Sequence, residues 1–130
     1  MRIPVFLEVA ADGRTMAHVL HLPGSSVVAS TREAALAAVP AAIQGYRAWL
    51  AAHDEATDGE AGEIEVAEER RGFGPFDPGD SAALFGPDRK PLLQGELERL
   101  LKLMGYSRRD LLALIVDLPH QVLREEYTPG

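Results

Sequence analysis

The stretch HLPGSSVVASTREAAL, His21 to Leu36, allows few backbones. Pro23 has no N–H to give to a strand ladder and Gly24 permits a sharp turn, so the apolar run before them must end there. Ser25–Ala29 reads as a short extended segment. Ser30-Thr31-Arg32-Glu33 then reads as a capping box, in which the Ser30 hydroxyl accepts from the Glu33 amide and the Glu33 carboxylate reaches back. Behind it Leu36, Val39, Ile43, Tyr46 and Leu50 recur at helical spacing, one apolar stripe over about four turns. Pro40 interrupts the stripe and crowds the carbonyl of Leu36, so a kink is predicted there.

The flanking sequence is strand-like. In Arg2–Ala10, Ile3, Val5, Leu7 and Val9 fall on one face, with Phe6 and Glu8 on the other. Ala11-Asp12-Gly13-Arg14 is a hairpin signal. It leads into a second strand over Thr15–Leu22, whose inward residues are either Ala17 and Val19 or Met16, His18 and Leu20. An acidic, small-residue linker (Asp54–Gly62) precedes a fourth strand, Glu63–Arg71, with Glu63, Glu65 and Glu69 on a solvated face. From Gly72 to Pro91 glycine and proline dominate, and Phe73, Phe76 and Phe85 are expected to anchor this segment on the domain surface. One helical turn is expected at Asp80–Leu84. Helices are expected at Gln94–Met104 and at Ser107–Val116, the latter behind a second capping box (Ser107-Arg108-Arg109-Asp110), followed by a turn at Pro119–Arg124.

Composition excludes several classes of protein. With no cysteine, disulfides, thiolate catalysis and Cys-ligated zinc are ruled out. The longest apolar run, Leu111–Val116, is too short to cross a bilayer. Met1-Arg2-Ile3-Pro4 leads straight into strand-like sequence without a signal-peptide core, so a cytoplasmic location is expected. The net charge of −7 is uneven: residues 1–62 carry −3, 63–89 carry −4 and 90–130 carry zero. No segment is a basic stripe, so non-specific phosphate binding is not supported. Eleven of the thirteen basic residues are Arg and there is no Asn, which suits a GC-rich or heat-adapted source.

Asp12-Gly13, Leu22-Pro23-Gly24, Ser30-Thr31-Arg32-Glu33-Ala34-Ala35-Leu36 and the helix through Ile43 and Tyr46, taken in this order, resemble the HicB-like antitoxin family over about residues 2–71. The resemblance implies an α+β fold, a partial ribonuclease-H-like β-β-β-α-β sheet with one helix on one face. A right-handed crossover would set the fourth strand parallel beside the first. The expected organisation is a HicB-like domain (1–71), a Gly/Pro-rich connector (72–92) and a short C-terminal helical appendage (93–130). Leu101–Gly130 resembles the start of a DinB-like helical bundle. Such bundles carry their metal-binding histidines from the second helix on; His120 matches none of them, so no metal site carries over. Glu96–Asp117 also resembles the two helices of a ribbon-helix-helix DNA-binding module. That module needs a strand directly before its first helix, and Gly86–Pro91, with two prolines, makes a poor one.

No catalytic, cofactor-binding or metal-binding set is expected. His18 and His21, three apart on one strand, point to opposite faces and make a poor metal pair; all four histidines (with His53 and His120) read as edge or surface residues. Glu8 with Glu63, Glu65 and Glu69 makes a carboxylate pair for Mg²⁺ conceivable, although a solvated sheet face explains the same charges with less. No serine lies in a nucleophile elbow, and Gly72-Phe73-Gly74 is not a phosphate loop. Tyr46 and Trp49 read as core and rim rather than a stacking platform. The expected function is a non-catalytic HicB-like binding module with a possible toxin-like protein partner. The alternatives are an antitoxin with a ribbon-helix-helix C-terminus and the N-terminal part of a DinB-like metal-dependent enzyme. Apolar residues point all round Leu111–Val116, so a homodimer through the C-terminal helices is expected. Neither DNA nor membrane binding is expected.

Overall fold

The computed structural model describes residues 2–57, 62–73, 76 and 83–125, the side chain of Phe73 excepted. The order is β1 (Arg2–Ala10), β2 (Thr15–His18), β3 (Ser26–Ala29), α1 (Arg32–Ala52), β4 (Glu63–Phe73), a 3-10 turn (Pro87–Arg89), α2 (Gln94–Ile115) and α3 (His120–Arg124). The fold class is α+β. Two compact units are distinguished, Met1–Pro91 and Leu92–Gly130.

The first unit is built on a four-stranded mixed sheet ordered β3-β2-β1-β4. β1 pairs antiparallel with β2 and parallel with β4, and β2 pairs antiparallel with β3. The hairpin between β1 and β2 closes where Gly13 takes φ +92° and Asp12 accepts the Arg14 N–H at 3.0 Å. Gly24 takes φ +86° after Pro23, and the Ser25 N–H returns to the Leu22 carbonyl at 2.9 Å, redirecting the chain into β3. β2 ends at His18 rather than Leu22, because Val19–Ser25 close this turn among themselves.

One face of the sheet packs on α1. Ile3, Val5, Leu7, Val9, Ala17 and Val19 form one core with Ala35, Val39 and Ile43. Leu36 and Tyr46 flank that core half-buried, and Leu50 is buried further along the helix. The inward residues of β2 are thus Ala17 and Val19. Met16 is buried too, against Ala10 and Phe76 on the opposite face, which is why alternation alone left the parity open.

Three local expectations are corrected. First, the cap of α1 is Thr31, not Ser30: its hydroxyl accepts the Ala34 N–H at 3.1 Å. The helix therefore starts one residue later, and Glu33 sits in its first turn, where a carboxylate favours the positive end of the helix dipole. Second, Gln94–Met104 and Ser107–Val116 are one continuous helix, α2, with Ser107 in its interior. Gly105 is not enough to end it, since an interior Gly costs only about 1 kcal/mol; the real start is held by Glu96, whose carboxylate accepts the Leu93 N–H at 2.7 Å. Third, the acidic face of β4 is split. Ile64 and Val66 run level with Ile3 and Val5, but the register then slips so that Phe6 lies beside Glu68 and Leu7 beside Glu69. Exposed Ala67 is the extra residue of this bulge. Glu63 and Glu65 therefore face away from α1, whereas Glu69 is turned toward it and meets Arg32.

α1 runs unbroken through Pro40. The turn expected at Asp80–Leu84 lies largely outside the described residues, and Ala83 and Leu84 form no helix. Among the described residues no helix is long and apolar enough to cross a membrane.

Candidate functional site

The face of the sheet turned away from α1 carries the densest chemistry in the first unit. Phe6 and Glu8 alternate with the inward residues of β1, and the antiparallel register sets Phe6 beside His18 and Glu8 beside Met16. Glu8 is fully buried. Its Oε2 lies 2.6 Å from His18 Nε2, and its Oε1 accepts the Ala83 N–H at 2.9 Å. The two groups share one hydrogen bond, and the His18 tautomer sets which atom donates. The expectation of a solvated Glu8 and a surface His18 is therefore wrong: a buried carboxyl group needs hydrogen-bond partners, and the opposite strand and a distant segment supply them.

The cover is Ala83–Lys90. Phe85, 1% exposed, sits 5.3 Å from Phe6 and 5.7 Å from His18, ring centre to ring centre, both pairs tilted. The Gly86 N–H donates to Glu68 Oε1 at 2.8 Å, and the Asp88 carboxylate accepts the Phe85 N–H at 3.0 Å. A Cβ on Gly86 would come within 2.6 Å of Glu68 Oε1, so a larger residue there would displace the Glu68 carboxylate from the Gly86 N–H. Arg70 holds the other oxygen of Glu68 at 3.2 Å. Phe76 and Phe85 are the expected apolar anchors, both buried; Phe73 lies outside the described side chains.

A carboxylate–histidine pair is the kind of unit that performs proton transfer. In this structure both carboxylate oxygens have protein partners, and the Phe85 ring packs tilted beside the imidazole. As arranged, the pair works as a clasp for the segment above it.

The other residues singled out from the sequence do not converge on this site. His21 lies beyond the end of β2; desolvation, and after it the charge of Arg47, hold its pKa below the usual histidine value. His53 packs edge-on against Trp49, 5.3 Å between ring centres, and Trp49 against Tyr46 at 5.4 Å. The Tyr46 hydroxyl donates to the Pro23 carbonyl at 2.9 Å, tying α1 to the turn before β3. His120 opens α3 in the other unit. Glu65 pairs with Arg2 at 3.0 Å on the exposed face. Glu69 receives Arg32 at 2.6 Å and Arg71 at 2.7 Å, and the Arg32 hydrogen bond above all holds its carboxyl below the usual range. Glu63 and Glu65 thus stay on an exposed face as expected, whereas Glu69 is drawn into an ion pair with α1. Among the described residues no three or more His, Asp or Glu are placed to hold a metal ion.

No family model, curated protein or solved structure matches the chain.

Proposed function

We propose that the chain is a HicB-like, non-catalytic binding module whose partner is another protein, of the kind a toxin would be. The observation that carries this reading is the sheet order β3-β2-β1-β4 with β4 parallel to β1 and α1 as the crossover. That is the arrangement the HicB resemblance implies for a partial ribonuclease-H-like sheet. The saturated Glu8–His18 clasp supports the non-catalytic part, since a proton-transfer pair needs a substrate within hydrogen-bond reach.

The antitoxin reading with a ribbon-helix-helix C-terminus gains no support from α2. That motif needs a strand before its first helix and a turn between two helices; here a 3-10 turn precedes a single helix of 22 residues.

Affinity purification of the tagged chain from its source cell, followed by reconstitution with the purified candidate, tests the proposal. One co-purifying protein at near-equal amount that re-forms the complex is the expected result. A chain that elutes with no such protein, at native expression, overturns it.

A further inference from the structure

We propose that Ala83–Asp88 is a ligand held in cis, and that the outer sheet face beneath it recognises a phenylalanine-bearing segment of a partner protein. This inference rests on the binding-module reading and names the surface that would do the binding.

The contacts divide as they do in peptide recognition, with backbone bonds for affinity and one side-chain pocket for specificity. Two carboxylates fixed on the sheet, Glu8 and Glu68, accept backbone N–H groups three residues apart, from Ala83 and Gly86. Any segment offering two such amides satisfies them. Between those amides one side chain is read: Phe85 fills the slot between Phe6 and His18 and is almost fully buried. The neighbouring Leu84 is 54% exposed and contributes little to the fit. Ala83–Gly86 adds no strand to the sheet, so its removal breaks no ladder.

Displacement is a matter of effective concentration. A segment on the same chain competes at a higher effective concentration than a free one. A free segment of equal chemistry therefore binds weakly while the tethered one is seated, and far better once the tethered one is weakened. Gly86→Ala weakens it while leaving the sheet's own residues unchanged, because the new Cβ pushes Glu68 Oε1 aside and breaks one amide contact.

The test uses the full chain and an acetylated peptide of residues 83–91, dye-labelled on Lys90, read by fluorescence anisotropy alongside circular dichroism. Phe85→Ala and Gly86→Ala chains should bind the peptide at least tenfold more tightly than the unaltered chain. A peptide carrying Phe85→Ala should not bind. Equal affinity for all three chains, or no binding to folded variants, overturns the proposal. If Phe85→Ala fails to fold, Gly86→Ala decides; if that fails too, the segment is an inseparable part of the core and the proposal is wrong. A co-purifying partner with no peptide binding sinks this surface and leaves the module reading intact. Peptide binding without any co-purifying partner leaves only an intramolecular seat for Phe85 and overturns the proposal as well.

Discussion

Glu8 and His18, ten residues apart in sequence, meet at 2.6 Å beneath Phe85, and the carboxylate of the pair is completely shielded from solvent. A buried carboxyl group is tolerated only with hydrogen-bond partners on both oxygens, and removing it or a partner leaves the others stranded. Glu8→Ala should therefore destabilise the first unit by about 3 kcal/mol. Glu8→Gln, which keeps an acceptor for Ala83, should cost less than half of that. Urea unfolding of both variants checks the order; equal midpoints for Glu8→Ala and the unaltered chain would remove the clasp.

The α1 stripe makes a second, independent claim. Ile43, 4% exposed, belongs to the core that also holds Ile3, Val5, Leu7 and Val9. Truncating it to Ala should cost about 2–5 kcal/mol, as for other large-to-small changes in a packed core. An unchanged denaturation midpoint would contradict the packing described.

Stability should fall on the acid side in two stages. His21 has a folded pKa below its unfolded one, so the unfolded chain binds more protons in that window. Its contribution is present above the ordinary histidine range and is lost as the pH falls from there through the lowered value. Glu69 behaves with the same sign at lower pH: its contribution is present above the ordinary carboxylate range and lost as the pH falls through its own depressed value. Thermal melts across this range should show the first stage vanish in His21→Gln and the second shrink in Arg32→Ala. A His21→Gln chain with an unchanged pH profile would refute the first assignment.

The homodimer expected through the C-terminal helices has a direct test. Leu101, Met104, Leu111 and Leu114 are each more than half exposed along one helix. Apolar surface of this extent marks an interaction site. Light scattering at micromolar concentration should give a dimer mass that falls to a monomer in the Leu111→Glu, Leu114→Glu double variant. A clean monomer from the unaltered chain ends the idea.

Specific duplex DNA binding should be absent, because residues 90–130 carry no net charge and, among the described residues, a 3-10 turn rather than a strand directly precedes α2. A mobility-shift assay at low salt against the gene's own upstream region is the check. Sub-micromolar, sequence-dependent binding would restore the ribbon-helix-helix reading.

The sequence by itself determined what depends on neighbours along the chain. Alternation in Arg2–Ala10 marked β1, the Gly13 and Gly24 turns marked its boundaries with β2 and β3, and the spacing from Leu36 to Leu50 marked the buried side of α1. These signals are local, since each states a backbone preference or a face. Tertiary structure alone decided the rest. The bulge at Ala67 turned Glu69 toward α1, because strand register follows the partner strand rather than the strand's own pattern. Continuity decided α2, where two plausible caps were overridden by unbroken helical hydrogen bonding. The Glu8–His18 site was illegible for the same reason. Alternation placed Glu8 on the face away from α1 and so read it as solvated. What meets it is the segment that begins at Ala83, 75 residues further on, whose docking no local pattern announces.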